Sequence, residues 1–451
     1  VNQPVKCYYT LGGINYKNGF VTSCPQQSDR LYVVDNGQSI LPSDIINSEG
    51  FKKHRLEMMS GTWSAGCHLC KEVEENNAGH SMRMDFPADE SYYNSETGEI
   101  DFAGVRHVEL RFSNSCNMAC LHCSEVYSSQ WAHKLKDYVP DQEDWDKRII
   151  QLTKIFHRIG TDDKLSIDID IDDMEKIVNN LNEKFPNIDK IDFAGGEVLY
   201  QKQFFPCLEL LAKHPNASNI RICFHSNFNA KANIARLWEL LQPFSKDREN
   251  LKNTTIMMSL DAGHNIYSYF RTGDWEILKA NVKKFKDLDV NNEIDLNIVC
   301  TTSAYQIMDI CDVFESFFEL DINDITSSIV YYPDYMNPSV MMLDHKEHVL
   351  KDIAAVKKLI MREKIKRFSN LEESSKMRSW NSKNKIFTDL FSASSAIANI
   401  ETYVTNNIAK PEQLDSFMTY IRKSDVIWKH NFNDYFKKYQ IIDNKITRVP
   451  E

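Results

Sequence analysis

Six short apolar runs, at 107–112, 190–194, 219–225, 255–260, 294–300 and 325–332, are separated by segments that include helical patterns at 201–214, 233–243, 274–288 and 308–320. Runs this short and this apolar read as buried strands. Strands that alternate with helices pair in parallel, because each parallel step needs a crossover long enough to hold a helix. The expected class is therefore α/β. In barrel-type folds of this class the chemistry sits on loops at the C-terminal ends of the strands.

The loop after the first run carries the densest chemistry. His-Val-Glu-Leu-Arg-Phe (107–112) leads into Ser-Asn-Ser-Cys-Asn-Met-Ala-Cys-Leu-His-Cys, which places Cys116, Cys120 and Cys123 at C-x3-C-x2-C spacing. Zinc ribbons and thioredoxin-like pairs use C-x2-C instead. Three close thiolates can hold three irons of a [4Fe–4S] cube and leave the fourth open to a small molecule. A zinc or purely structural site is the alternative for the triad taken alone.

Three further segments follow in order. They are Asp-Phe-Ala-Gly-Gly-Glu (192–197), Met-Met-Ser-Leu-Asp-Ala (257–262) and Phe-Arg-Thr-Gly (270–273). With the triad, and with His122 before its last cysteine, this set resembles the motifs of radical S-adenosylmethionine (SAM) enzymes. The resemblance implies a partial (β/α)6 TIM-type barrel. It also implies a [4Fe–4S] cluster on Cys116, Cys120 and Cys123, and SAM as cosubstrate. Gly195, Gly196 and Glu197 would position the SAM amino group. Ser259 and Arg271 would hold its carboxylate, as in the sulfatase-maturase-like branch, Arg271 through the fork that arginine offers a carboxylate. Ser226 and Asn227, at the end of the third strand, are candidates for the ribose or the carboxylate, or form a plain strand-end turn. Asp261 reads as a cap on its strand-end loop. No catalytic base stands out.

A second cysteine set lies upstream. Asn18-Gly19 between Cys7 and Cys24 predicts a hairpin that brings these two together, since type I′ turns need positive φ at both central residues. A helix over 51–59 with Gly61 near its end precedes Cys67 and Cys70. On spacing alone, zinc and an iron–sulfur cluster fit these four cysteines equally. The pattern is similar to the SPASM/twitch module, in its shorter twitch form, which implies an auxiliary [4Fe–4S] cluster on Cys7, Cys24, Cys67 and Cys70. Such modules usually follow the barrel, whereas here the cysteines precede it.

The domain reading is a small cysteine-rich unit at 1–86, a barrel at 100–335 with a helical insertion at about 131–185, and a helical C-terminal extension at 336–451. Patterns at 344–363, 388–406 and 411–422 carry the extension, and an aromatic-rich tail reads as packing. In the insertion, Asp168, Asp170 and Asp172 begin like a calcium loop, but Asp173 and Asn179 stand where glycine and glutamate are needed. Asp170 as a helix N-cap is the better reading.

A formal charge of −11 argues against non-specific nucleic-acid binding, which depends on Lys and Arg. The basic stretches Arg362 to Arg367 and Lys376 to Lys385 read as solvated helix and loop. No run approaches the roughly 20 apolar residues of a membrane span, and no signal peptide is expected. Cys207, Cys223, Cys300 and Cys311 stand alone in apolar surroundings and read as core. With no disulfide framework, a reducing cytoplasm is expected. The leading function is radical SAM chemistry on a peptide or protein side chain, served by a reductant such as flavodoxin or ferredoxin. The alternatives are a two-cluster enzyme acting on a nucleotide or sugar, and a non-catalytic iron–sulfur electron carrier.

Overall fold

The structure is a computed structural model. It describes residues 3–449 apart from 18, 35–37, 76–80, 85, 125–126, 137–167, 245–253, 292, 323, 332 and 374–379. Its centre is a nine-stranded sheet in the order β3-β2-β1-β4-β5-β6-β7-β8-β9. The six expected strands are all present, as β4 (His107–Leu110), β5 (Lys190–Phe193), β6 (Arg221–Ser226), β7 (Thr255–Ser259), β8 (Asp295–Thr302) and β9 (Ile325–Ile329). Each pairs in parallel with the next.

Strand periodicity separates two faces. Val108, Leu110, Ile191, Phe193, Ile222, Phe224, Ile256, Met258, Ile298 and Cys300 are all buried on one face. Burying a side chain of this size contributes about 2 kcal/mol, so this face anchors the fold. Helices cover it with apolar stripes at helical spacing, such as Met174, Ile177, Val178 and Leu181 of Ile171–Lys184, or Leu278, Val282 and Phe285 of Trp275–Leu288. Asp170 caps the first of these helices by accepting from the backbone N–H of Asp173 at 2.8 Å, as expected. Asp274 caps the second. The other face of the sheet is polar, with Glu109, Asp192, His225, Thr255 and Asn297 along it.

The N-terminal segment joins the same sheet. β1 (Gly13–Lys17) pairs in parallel with β4, and antiparallel with β2 (Phe20–Thr22), which in turn pairs with β3 (Tyr32–Val33). The hairpin expected between Cys7 and Cys24 is thus present. Gly19 has φ +79, while Asn18 lies outside the described residues. The helix Glu49–Met59 ends in a Schellman motif. Gly61, at φ +85, donates to the Met58 carbonyl, and Thr62 donates to that of Glu57. A small apolar cluster of Val5, Cys7, Tyr8, Tyr9 and Met58 adjoins this helix.

The C-terminal third supplies helices Met342–Glu373, Trp380–Asn406 and Pro411–Trp428. The expected helical extension is corrected at its end, where the chain forms a hairpin. After a four-residue helix (Phe432–Tyr435), β10 (Tyr439–Ile442) and β11 (Lys445–Arg448) form a hairpin. Asp443 and Asn444 turn it at φ +49 and +61. These two residue types tolerate the left-handed region that such a turn demands. The tail aromatics do pack: Phe432 and Phe436 stack at 4.3 Å against Tyr269.

Residues 137–167, which include most of the first expected insertion helix and Gly160 of its joint, lie outside the described residues, as does Lys376. None of the eleven cysteines is in a disulfide. Cys207, Cys223 and Cys300 are buried as expected, whereas Cys311 is half-buried and its thiol donates to the Asp352 carbonyl at 3.4 Å.

Candidate active site

Cys116, Cys120 and Cys123 lie on the loop that leaves β4, and its backbone is held from three sides. The Met118 and Cys120 carbonyls accept from Ser128 Oγ (2.6 Å) and Trp131 Nε1 (2.8 Å). The N–H groups of Ala119 and Leu121 donate to Thr272 Oγ1 (2.8 Å) and the Phe270 carbonyl (2.9 Å). From the C-terminal extension, Tyr420 donates its hydroxyl to the Leu121 carbonyl, and Trp428 meets Trp131 edge to face. His122 stacks on Phe270.

Cys116 and Cys120 are buried and Cys123 is half-buried. Burial pushes the Cys116 thiol up to about 12, and the neighbouring Cys120 adds to this. Burial likewise raises Cys120 and Cys123, and Cys123 responds to both other thiols. Burial keeps such thiols protonated at neutral pH, although the Arg271 guanidinium acts the other way on Cys120, and a bound metal would deprotonate them. The three cysteines share one short loop, and soft thiolate donors of this kind suit an iron–sulfur cluster.

The Gly-Gly-Glu segment leaves β5 and packs directly on this loop. Gly195 and Gly196 have φ +83 and +50, and a Cβ on Gly196 would stand 2.2 Å from the Ser115 carbonyl oxygen. Only glycine allows that approach. Glu197 then donates its N–H to the same oxygen at 2.9 Å. Its buried carboxylate accepts from Ser226 Oγ (2.7 Å), the Asn227 N–H (2.6 Å) and the Leu199 N–H (3.0 Å). Burial pushes the Glu197 pKa up against those hydrogen bonds. Ser226 and Asn227 thus serve Glu197 in this structure, and the Asn227 amide also donates to Asn117 Oδ1 at 2.8 Å, within the cysteine loop.

Ser259 ends β7, and two residues later Asp261 is fully buried. Asp261 caps the strand-end region, as expected, by accepting from the Thr301 N–H at 2.5 Å. Sequence reasoning missed its second role, an ion pair with Arg271. The Arg271 guanidinium also lies 3.7 Å from Cys120 Sγ, and its buried Nε has no hydrogen-bond partner. Burial acts against the charge, but Asp261 and then Cys120 raise the Arg271 pKa overall. A buried donor left unpaired is costly, so the arrangement fits an incoming acceptor such as a carboxylate.

The four upstream cysteines line one pocket, with Met58 and Trp63. Burial pushes Cys67 up to about 12 and also raises Cys7 and Cys24. Cys24 responds to Cys7, Cys67 and Cys70 in turn, so this donor set too fits a thiolate-held group. His54 supports the pocket wall from behind, bonding to Thr10 Oγ1 (3.1 Å), Ser23 Oγ (3.3 Å) and Gln27 (3.3 Å). Burial, with Arg55 beside it, lowers the His54 pKa to about 4. Among the described residues, no three His, Cys, Asp or Glu side chains converge as ligands of a single metal ion. No described helix is long and apolar enough to cross a membrane.

No curated protein matches the chain. Among solved structures, anSMEcpe with bound AdoMet and Cp18Cys peptide is similar at 16% identity and a TM-score of 0.34, over 50% of this chain and 51% of that one. Streptococcus suis SuiB bound to precursor peptide SuiA gives 12% identity and a TM-score of 0.29, over 58% and 52%. SuiB bound to S-adenosylmethionine gives 14% and 0.31, over 63% and 58%. The chain thus spans about half the length of these structures. Residues 110–305 match the family model described as the Radical SAM superfamily. That match takes in the cysteine loop, Gly195 to Glu197, Ser259 and Arg271, and the chain therefore carries a radical SAM domain.

Proposed function

We propose that this chain is an enzyme in which a [4Fe–4S] cluster and SAM, when bound, supply a 5′-deoxyadenosyl radical that takes a hydrogen atom from a peptide or protein side chain. One observation carries the reading: the buried Cys116–Cys123 loop, the Gly195–Glu197 turn and Arg271 meet at the C-terminal ends of β4, β5 and β7. We read β4–β9 as the family's partial (β/α)6 barrel.

In this reading Cys116, Cys120 and Cys123 hold the cluster. Gly195 and Gly196 offer their backbone to the SAM amino group, and Glu197 fixes that turn through Ser226 and Asn227. Ser259 and Arg271 take the carboxylate, with the unpaired Nε of Arg271 as the available donor. Asp261 orients Arg271. Cys7, Cys24, Cys67 and Cys70 form a twitch-type site for an auxiliary [4Fe–4S] cluster. The peptide substrate rests on the Ser259–Arg271 spacing and this upstream set, both features of the maturase-like branch. A flavodoxin- or ferredoxin-type reductant and a cytoplasmic location complete the reading.

The test is 5′-deoxyadenosine formation after anaerobic reconstitution with iron and sulfide, chemical reduction and addition of SAM. Wild type should form product, and a Cys116/Cys120/Cys123→Ala variant none. A wild-type protein that holds iron and sulfide but yields no product overturns the reading.

A further inference from the structure

The polar face of the sheet carries an unbalanced charge near the upper ends of β1 and β4. Asn15 stands opposite Glu109 in the β1–β4 register, and Lys17 and Arg111 each lie two residues further along their own chain segments. Asn15 is fully buried, yet neither its amide oxygen nor its amide nitrogen has a hydrogen-bond partner. Buried amides are almost always paired, so an exception of this kind marks a site for something further.

Lys17 is also buried. Its ammonium donates to the Gln27 carbonyl at 2.7 Å and makes no ion pair among the described residues. Arg111 donates from Nε to Glu109 Oε1 at 2.6 Å, which leaves the rest of its fork available. Two cations therefore face one carboxylate. Burial, and then Arg111, lowers the Lys17 pKa to about 8, which still leaves it charged at neutral pH.

Position gives this surplus a meaning. The Arg111 side chain lies over Gly195, whose added Cβ would be 3.3 Å from Arg111 Cβ. Arg111 leads directly into the loop that carries Cys116, Cys120 and Cys123. On the other side, Lys17 ends β1 in the hairpin that Cys7 and Cys24 flank. His225, exposed on the same face, responds to Glu109 and Arg111.

We infer that Lys17, Arg111 and Asn15 form a carboxylate-binding site on the polar face of the sheet, which takes an acidic group of the substrate between the two cysteine sets. One surplus positive charge matches a monoanion, and the arginine fork matches carboxylate geometry. A phosphate dianion would leave the site with excess negative charge. The word substrate here rests on the enzymatic reading above; the anion site itself does not.

Saturation-transfer NMR on the full chain tests it, with the monoanion N-acetylglutamic acid α-methylamide and the neutral N-acetylglutamine α-methylamide as probes and inorganic phosphate as competitor. The acid should bind about tenfold more tightly than the amide, the difference expected for a charged hydrogen bond. Arg111→Gln and Lys17→Met should each remove that preference, while Arg111→Lys, which keeps the charge but not the fork, should retain only part of it. Equal binding of acid and amide, variants that bind the acid as wild type does, or displacement by equimolar phosphate would overturn the site. Wild-type protein that selects the acid but forms no 5′-deoxyadenosine keeps the site and overturns the enzymatic reading. Product formation without acid selectivity overturns the site alone.

Discussion

Glu197 and Ser226 are joined by a 2.7 Å hydrogen bond between carboxylate and hydroxyl, and that bond ties the turn after β5 to the end of β6. The other carboxylate oxygen receives the Asn227 N–H. Both oxygens are therefore acceptors for fixed donors. In Glu197→Gln the new amide group must face one of them, leaving two donors in opposition. We expect a loss of about 2 kcal/mol in unfolding free energy, read from urea titration. An unchanged midpoint would show that the turn does not depend on this carboxylate.

Gly196→Ala should act on the cysteine loop rather than on the sheet. The added methyl meets the Ser115 carbonyl at 2.2 Å, and the residue must also hold φ +50. The left-handed conformation alone costs about 1–2 kcal/mol, and the clash moves the loop that carries Cys116. Iron and sulfide retained per chain after reconstitution should fall, with far-ultraviolet circular dichroism unchanged. Full retention would mean that the loop tolerates displacement.

His54 predicts a pH dependence. Its folded-state pKa is about 4, lowered by burial and then by Arg55 from an ordinary value of 6.5. Between these values the unfolded chain binds the additional proton, so stability rises with pH through the window and is lost as pH falls from about 6.5 towards 4. The contribution is on the order of 3 kcal/mol at full extent. Urea unfolding at pH 7 and pH 4.5 should show this loss, and His54→Gln should flatten it. A variant with the wild-type slope would assign the dependence to other groups.

Tyr420→Phe tests the reach of the C-terminal extension. The substitution removes the hydroxyl that the Leu121 carbonyl accepts, at little cost in volume. We expect about 1 kcal/mol of destabilisation and faster loss of iron to a chelator. If chelation kinetics do not change, the helix Pro411–Trp428 packs on the loop without holding it.

Much of this was legible in the sequence because it is local. Six apolar runs became six strands since one face of each is buried against helices, and period-two burial leaves its mark in composition. The spacing of Cys116, Cys120 and Cys123 and the Gly195-Gly196 pair were legible for the same reason. The Asp261–Arg271 pair was not, because it depends on how the helix His264–Arg271 folds back over the end of β7. Nothing near Leu121 announces Tyr420, which lies 299 residues away. The closing hairpin was missed because Asp443-Asn444 is a weaker turn signal than Asn-Gly, and the aromatic residues before it also suit a helix.

The parallel pairing of Gly13, Ile14 and Asn15 with His107, Val108 and Glu109 has a mechanical consequence. Cys7 and Cys24 flank the β1–β2 hairpin, and Cys116 to Cys123 follow β4, so the two groups of thiols are pegs on one board. Between β1 and β4 there is no linker to swing. Any change in the span between those pegs has to come from the loops that carry them, because the backbone ladder beneath does not stretch.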